Sequence, residues 1–301
     1  MLFEPQHIVC AVDFSIHTEK ILRWGNHLAR IFDARLSVFH AVNASHDRFP
    51  GTAIFERGGP REAPLKAAYR RLKELSAPFD RVYDCKVAAG DPVEALVAFT
   101  RKTPTDLVMA AGHGLSGFQR ILLDTVVERM ARQLEQPLLV VRLSAEESSG
   151  HLDFKKVVVA CDSATTPVPA LGLAAVWARR FDAVLHLLHA MELPVMADML
   201  EPTDGPYGEV QAALQHRLHD NMAKMMAAAG FDAAAVTIDL QPGPAAEVLP
   251  PYLRDQQADL LVVGVRPHRR LQQFLIGSTT EAALRKAPCA VLTVPTMTNQ
   301  G

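Results

Sequence analysis

Apolar residues follow two alternating patterns along this chain. Short, nearly continuous runs of valine, isoleucine and leucine cover residues 8–12, 36–42, 82–88, 107–111 and 138–142 in the first half, and segments with apolar residues every three or four positions separate them. Continuous runs are typical of strands covered on both faces, and the longer spacing is typical of helices. Their regular alternation predicts an α/β fold with right-handed crossovers and a doubly wound, five-stranded parallel sheet.

The whole pattern occurs twice, in residues 8–142 and 157–294. Asp162 follows Asp13 by 149 positions (162 minus 13), and Asp259 follows Asp106 by 153 (259 minus 106). The offset changes between the second strand and Gly90, where loop and helix lengths can vary. Repeats of this length are duplicated domains. We therefore predict two tandem domains of one fold, residues 1–146 and 152–297.

Composition and charge narrow the classes of partner. A chain of 301 residues is long enough for two domains of about 150 residues, and a net charge of -2 gives no nucleic-acid footprint. The N-terminus lacks a basic region followed by an apolar core, and no apolar run approaches the ~18 residues that span a bilayer. We expect a cytoplasmic protein that binds neither nucleic acid nor membrane.

The cysteines and histidines show no pattern typical of a metal centre or a catalytic triad. The four cysteines lack paired spacing, and we expect buried, reduced thiols at Cys10, Cys85, Cys161 and Cys289. His40 and His189 occupy equivalent strand ends, and we expect backbone groups to satisfy them. No nucleophile elbow is present, so the sequence predicts no catalytic residue and no metal ligand.

Ligands of such sheets bind beyond the carboxyl ends of the strands, where the strand order reverses. The informative residues fall there. Asp13 and Asp162 end the first strands, and Ala41 and Ala190 end the second. Glycine-bearing segments, 111–125 and 264–278, follow the fourth strands.

The second of these segments carries groups suited to phosphate. It begins with Gly264, continues through Arg266 and Pro267, and ends with Gly277-Ser278-Thr279-Thr280-Glu281 at the start of a predicted helix. A glycine followed by hydroxyls at a helix N-terminus offers free N–H groups and partial positive charge. The alternative is local: one of the hydroxyls is an N-cap, with Glu281 completing a capping box for Ser278. Arg266 either complements phosphate or belongs to a solvated basic turn.

Taken together, these features resemble the tandem form of the universal stress protein family. They are the two βα domains, an aspartate ending each first strand, a histidine before the end of each second strand, and the Gly-x2-Gly-x9-Gly-Ser/Thr segment. The resemblance implies that the first-strand aspartate and the backbone after the second strand hold adenosine, and that the glycine segment holds ribose and phosphates. Carried over by position, the ATP-binding residues are Asp162, Ala190, Gly264, Gly277, Ser278 and Thr279.

Both copies depart from the family pattern. Pro267 replaces the middle glycine of the second copy and removes an N–H donor, so binding is weakened or the loop takes another shape. In the first copy, Ala111 replaces the first glycine and Asp124 the third. A carboxylate at a helix N-terminus caps the helix and repels a second anion. We predict that the first copy does not bind ATP, and there Asp13 is either a remnant of the site or a helix cap.

Two long connections, Asn43 to Pro64 and Glu192 to Gly208, follow the second strands and favour a mobile cover over each crevice. The second carries four acidic residues and no lysine or arginine. These residues either hold a magnesium ion on a bound nucleotide or form a solvated loop: Glu192, Asp198, Glu201 and Asp204.

The last strand of each copy is an apolar edge, which proteins usually pair. In the related family these strands join domains, so we expect the two halves to pair with each other, and a homodimer is a further expectation. Two functions follow from the sequence. The first is a stress-response regulatory protein that binds ATP or a related adenine nucleotide in its second domain, with at most slow hydrolysis. The alternative is a tandem scaffold or carrier for a hydrophobic metabolite or a protein partner.

Overall fold

The structure is a computed structural model that describes residues 4–43, 62–112, 126–142, 153–161, 168–191, 206–228, 236–265 and 277–295. Internal contacts divide the chain into two units, Glu4–Leu152 and Asp153–Gly301, called here the first and second domains. None of the helices within the described ranges combines the length and the apolar character needed to cross a membrane.

The first domain is a parallel sheet whose strands are ordered β3-β2-β1-β4-β5. Each strand of the first domain begins and ends within one residue of its predicted range, because its apolar run is bounded by polar or turn residues. The elements are β1 (His7–Ala11), α1 (Thr18–Ile31), β2 (Arg35–Val42), α2 (Glu62–Ser76), β3 (Val82–Ala89), α3 (Pro92–Lys102), β4 (Leu107–Gly112), α4 (Val126–Gln133) and β5 (Leu138–Arg142).

The second domain repeats this topology, with strands ordered β8-β7-β6-β9-β10. The prediction of two doubly wound, five-stranded α/β domains is confirmed. The elements are β6 (Lys156–Ala160), α5 (Val168–Arg180), β7 (Val184–Met191), α6 (Pro206–Ala228), β8 (Val236–Pro242), α7 (Ala245–Asp255), β9 (Leu260–Val265), α8 (Ser278–Lys286) and β10 (Ala290–Pro295).

The core of each domain lies on the central strand and its neighbours. Val157, Val158 and Val159 of β6 have no exposed surface, and the same is true of the matching residues of β1. All four cysteines are buried free thiols, as predicted. Burial raises the pKa of the Cys10 thiol to about 12, so this sulfur remains protonated and packs as an apolar group.

A duplicated carboxylate fixes the start of each central strand. Asp106 accepts hydrogen bonds from the backbone N–H groups of residues 6 and 7, both at 2.9 Å. Asp259 accepts from those of residues 155 and 156, both at 2.8 Å. The two copies therefore share hydrogen bonds as well as topology.

The strand order reverses at the central strand of each domain. In the second domain the chain leaves β6 toward β7 and β8 on one side, then returns to β9 and β10 on the other. In sheets of this kind ligands bind at such a switch point, beyond the carboxyl ends of the two strands that flank it, here β6 and β9. The candidate site lies at this edge of the sheet.

Candidate functional site

Helix α8 of the second domain begins with an open N-terminus. Its N-cap is Gly277, which supplies no side-chain hydrogen bond to the first turn. The N–H groups of Ser278 and Thr279 therefore have no acceptor within the helix, and they lie at its positive end. The capping-box alternative is wrong: Ser278 is already the first helical residue, and Glu281 pairs with Arg285 at 3.2 Å.

Glycine at position 277 is not explained by the fold. Gly277 has φ -59 and ψ 150, which any residue adopts, and among the described residues a Cβ built on it meets no atom within 4 Å. By contrast, Gly243 has φ +116, a conformation that L side chains rarely adopt. Gly277 therefore places no Cβ and no capping side chain in front of the N–H groups of α8.

Thr280 holds this N-terminus beside β9. Its side chain is 3 % exposed, and its hydroxyl lies 3.5 Å from the carbonyl oxygen of Gly264 at the end of β9. The structure thereby brings Gly264 together with Gly277, Ser278 and Thr279. The sequence indicated Thr280 only as a cap. The sequence signal for this contact was a second threonine, three positions after Gly277, which the first turn of α8 directs toward the sheet.

The adenosine side of the predicted site lies at the end of β7. The N–H of Cys161 donates to the carbonyl of Leu188 at 2.8 Å, and Nδ1 of His189 lies 2.8 Å from the carbonyl oxygen of Cys161. These bonds join the chain leaving β6 to the end of β7, where the half-buried Ala190 follows. Nδ1 of His189 is thus satisfied by a backbone group, as predicted, and Nδ1 of His40 likewise lies 2.8 Å from the carbonyl oxygen of Val12.

Two predicted site residues, Asp162 and Arg266, lie outside the described residues, as do Pro267 and Asp124. The predicted covers also fall outside them over residues 44–61 and 192–205, a range that includes the acidic residues of the second connection. The ends of both connections belong to helices instead, since α2 begins at Glu62 and α6 at Pro206.

The crevice of the first domain has different chemistry. The exposed carboxylate of Asp13 accepts the N–H of Ser15 at 2.9 Å. It does not cap α1, whose N-cap is His17, so the helix-cap alternative is wrong. A Cβ on Gly112 would lie 2.8 Å from Val140, so this glycine is required by packing, whereas Gly277 is not.

An ion pair also distinguishes the first domain. Arg129 of α4 binds both carboxylate oxygens of Asp91, at 2.8 and 2.9 Å, and Asp91 also caps α3. The guanidinium lowers the pKa of Asp91, so the pair stays ionised. The equivalent positions of the second domain, 153 residues later, are Pro244 and Ala282. The second domain therefore cannot form the ion pair that joins α3 to α4 in the first domain.

A polar cluster under α7 was not predicted from the sequence. The Tyr252 hydroxyl donates to the Asp239 carboxylate, and Nδ1 of His186 lies 3.3 Å from the Tyr252 oxygen and 3.6 Å from the Asp239 carboxylate. Burial and the charge of Lys156 lower the pKa of His186, against the opposing effect of Asp239. A comparison of the two copies would have pointed to the cluster, because the first domain has different residues at all three positions. Ser37, Lys86 and Phe99 stand where the second domain has His186, Asp239 and Tyr252.

Fold and crevice together define a protein of two tandem doubly wound α/β domains, each with its candidate site at a switch point. The model of the universal stress protein family matches residues 4–142 and again residues 153–295. The chain belongs to the universal stress protein family, in its tandem form.

Relatives agree with this assignment. A universal stress protein of Methanocaldococcus jannaschii is 23% identical over 146 residues, which are 48% of this chain and 85% of the relative. One from Synechocystis is 39% identical over 70 residues, 23% of each chain. Among solved structures, a universal stress protein from Archaeoglobus fulgidus has a TM-score of 0.69 at 18% identity and covers 98% of this chain and 100% of its own. A putative universal stress protein from Pseudomonas aeruginosa has a TM-score of 0.62 at 17% identity, covering 98% and 94%.

Proposed function

We propose that this protein is a stress-response regulatory protein that binds ATP or a related adenine nucleotide in its second domain, with at most slow hydrolysis. The observation that carries the proposal is Gly277. Neither its backbone conformation nor its packing against the described residues requires glycine, and it places no Cβ and no capping side chain in front of the positive end of α8. Phosphate is the ligand that such a helix end favours.

The roles of the residues follow the family resemblance. Gly277, Ser278 and Thr279 would hold the phosphates, and Gly264 the ribose. Asp162 and the backbone at Ala190 would hold the adenosine. Arg266 would add positive charge near the phosphates. A magnesium ion would neutralise part of the phosphate charge when the nucleotide is bound.

The first domain is proposed not to bind ATP. Its equivalent of Gly277 is Asp124, and its equivalent of Gly264 is Ala111. A carboxylate at the start of α4 would occupy the place of a phosphate and repel it.

Calorimetric titration of ATP and magnesium into the wild type and Gly277→Asp tests the site. The substitution places the residue of the first domain into the second. Because a Cβ at 277 has open space and aspartate is a favourable N-cap, the free energy of unfolding should stay constant or rise by a few tenths of a kcal/mol. Nucleotide affinity should fall at least about tenfold, equivalent to about 1.4 kcal/mol.

Gly277→Asn is the matched control, since it adds nearly the same volume and caps the helix without a negative charge. We expect it to weaken ATP less than aspartate does. A wild type that shows no binding, or a Gly277→Asp variant that binds as tightly as the wild type, would refute the site. Equal losses in both variants would assign the effect to volume instead of charge.

A further inference from the structure

A groove at the outer edge of the first domain has no role in the nucleotide site. It is about 600 Å³ in volume and lies between α2 and β3, the strand at one end of this sheet. We call it the α2–β3 groove. It is lined by Leu65, Lys66, Tyr69, Arg70, Lys73 and Val87.

The lining combines apolar surface with positive charge. Leu65 and Val87 are half-buried, and the Tyr69 ring is exposed, at 43% of its surface. The Lys73 ammonium lies 5.9 Å from the centre of that ring. The six lining residues include three cations and no carboxylate. Within the described residues, Lys66 pairs with Glu62 at 3.1 Å, and both side chains are more than three-quarters exposed, so solvent screens the pair.

The duplication shows that the fold does not require this chemistry. Val82 opens β3 and Val236 opens β8, 154 positions later (236 minus 82), opposite equivalent residues of the neighbouring strands. With the same offset the buried Ala68 and Leu72 of α2 fall on the buried Met222 and Met226 of α6.

That alignment gives the second-domain equivalents of the groove residues. Lys66, Tyr69 and Lys73 correspond to Asp220, Ala223 and Ala227, whereas Arg70 corresponds to another cation, Lys224. The second domain thus forms the same helix with an acidic residue and two small ones. Cations around an exposed tyrosine are therefore a property of the first domain alone.

We propose that the α2–β3 groove docks an acidic segment of a partner protein that carries an aliphatic or aromatic anchor residue. Tyrosine and arginine are the residue types that dominate binding energy at protein interfaces, and the apolar floor formed by Leu65, Tyr69 and Val87 fits an anchor side chain. Three cations without a carboxylate attract an acidic segment and reject a basic one.

Fluorescence anisotropy with the full chain tests the proposal. The probe is a short labelled peptide rich in glutamate that carries one leucine, compared with the same peptide carrying serine instead. The wild type should bind the leucine peptide several-fold more tightly than the serine peptide, and both less tightly as salt is raised. The triple variant Lys66→Asp, Tyr69→Ala, Lys73→Ala should lose at least about tenfold in affinity for the leucine peptide.

The control variant is Arg23→Ala, Arg101→Ala, Lys102→Ala, which lowers the net charge by the same three units through residues of α1 and α3. It should bind as the wild type does. Because the triple variant uses residues that the second domain already accepts, its thermal unfolding and its ATP titration should match the wild type, which separates this proposal from the nucleotide proposal. Failure of the wild type to bind, equal loss in the control, or tighter binding of an oligonucleotide of equal charge would overturn the assignment.

Discussion

Different physical conditions require glycine at different positions of this chain. Gly90 and Gly243, at equivalent positions, have φ of +127 and +116, so backbone conformation requires them. Gly25 of α1 allows the helix to approach β1, because a Cβ there would lie 2.3 Å from Sγ of Cys10. Gly277 satisfies neither condition. Only the structure separates these cases, since the sequence shows the same residue at each position.

A pair of substitutions in α1 and α5 checks the packing argument. Gly25→Ala should lower the free energy of unfolding by about 1–3 kcal/mol, because the added methyl group overlaps a fully buried sulfur. Gly172→Ala, where a Cβ meets no atom within 4 Å, should raise it by up to about 1 kcal/mol through helix propensity. Urea denaturation measures both. Equal effects of the two substitutions would contradict the close contact between α1 and β1.

His186 makes the stability of the second domain depend on pH. Burial and Lys156 lower its folded-state pKa, whereas an unfolded histidine titrates near about 6.5. The unfolded state therefore binds more protons below that pH, and the free energy of unfolding should fall as pH drops through about 6.5 toward the folded-state pKa. Urea denaturation between about pH 7.5 and pH 5.5 measures this dependence.

The control for this effect is His186→Ser, the residue of the first domain at Ser37. It removes the titrating group, so the pH dependence over that interval should become flatter than in the wild type. A variant as pH-dependent as the wild type would assign the effect to another group.

A bulge in one strand partly offsets the drift between the copies, because it lowers the offset from 154 at Val82 (236 minus 82) to 153 at Asp84 (237 minus 84). In the first domain Leu36 pairs with Val82 and Ser37 with Asp84, so Tyr83 is an extra, bulged residue of β3. The second domain pairs the equivalent residues without a bulge. The sequence predicted that the offset changes in loops and helices between the second strand and Gly90. It could not place this residue within a strand, because a bulge keeps the apolar pattern and alters only the pairing.

Asp106 and Asp259 should each stabilise the start of the central strand in their own domain. Asp106→Ala and Asp259→Ala each remove an acceptor for two backbone N–H groups at the start of a central strand. Each should cost about 1.5–3 kcal/mol of the stability of its own domain. Hydrogen exchange of β1 and β6 measures which strand is released. Release of the same strand by both substitutions would show that the carboxylates are not equivalent.

At the scale of the molecule, the sequence predicted most of the architecture and part of the site. The repeated alternation and the handedness of crossovers predicted a doubly wound parallel sheet in each domain. They did not determine the order of its strands, because several orders satisfy both rules. The position of Gly264 and Gly277 at one crevice follows from that topology. The His186 cluster did not follow, since its members lie on three different elements. The α2–β3 groove did not follow either, because five of its six lining residues recur along α2 but nothing in the sequence places Val87 of β3 beside them. Pairing of β5 and β10, within one chain or in a homodimer, stays a prediction.

The proposed function requires that only the second of the two domains binds nucleotide. Calorimetric titration of the wild-type chain with ATP and magnesium measures the number of nucleotides bound per chain. We predict one nucleotide per chain, bound in the second domain. Two nucleotides per chain, or none, would contradict the account.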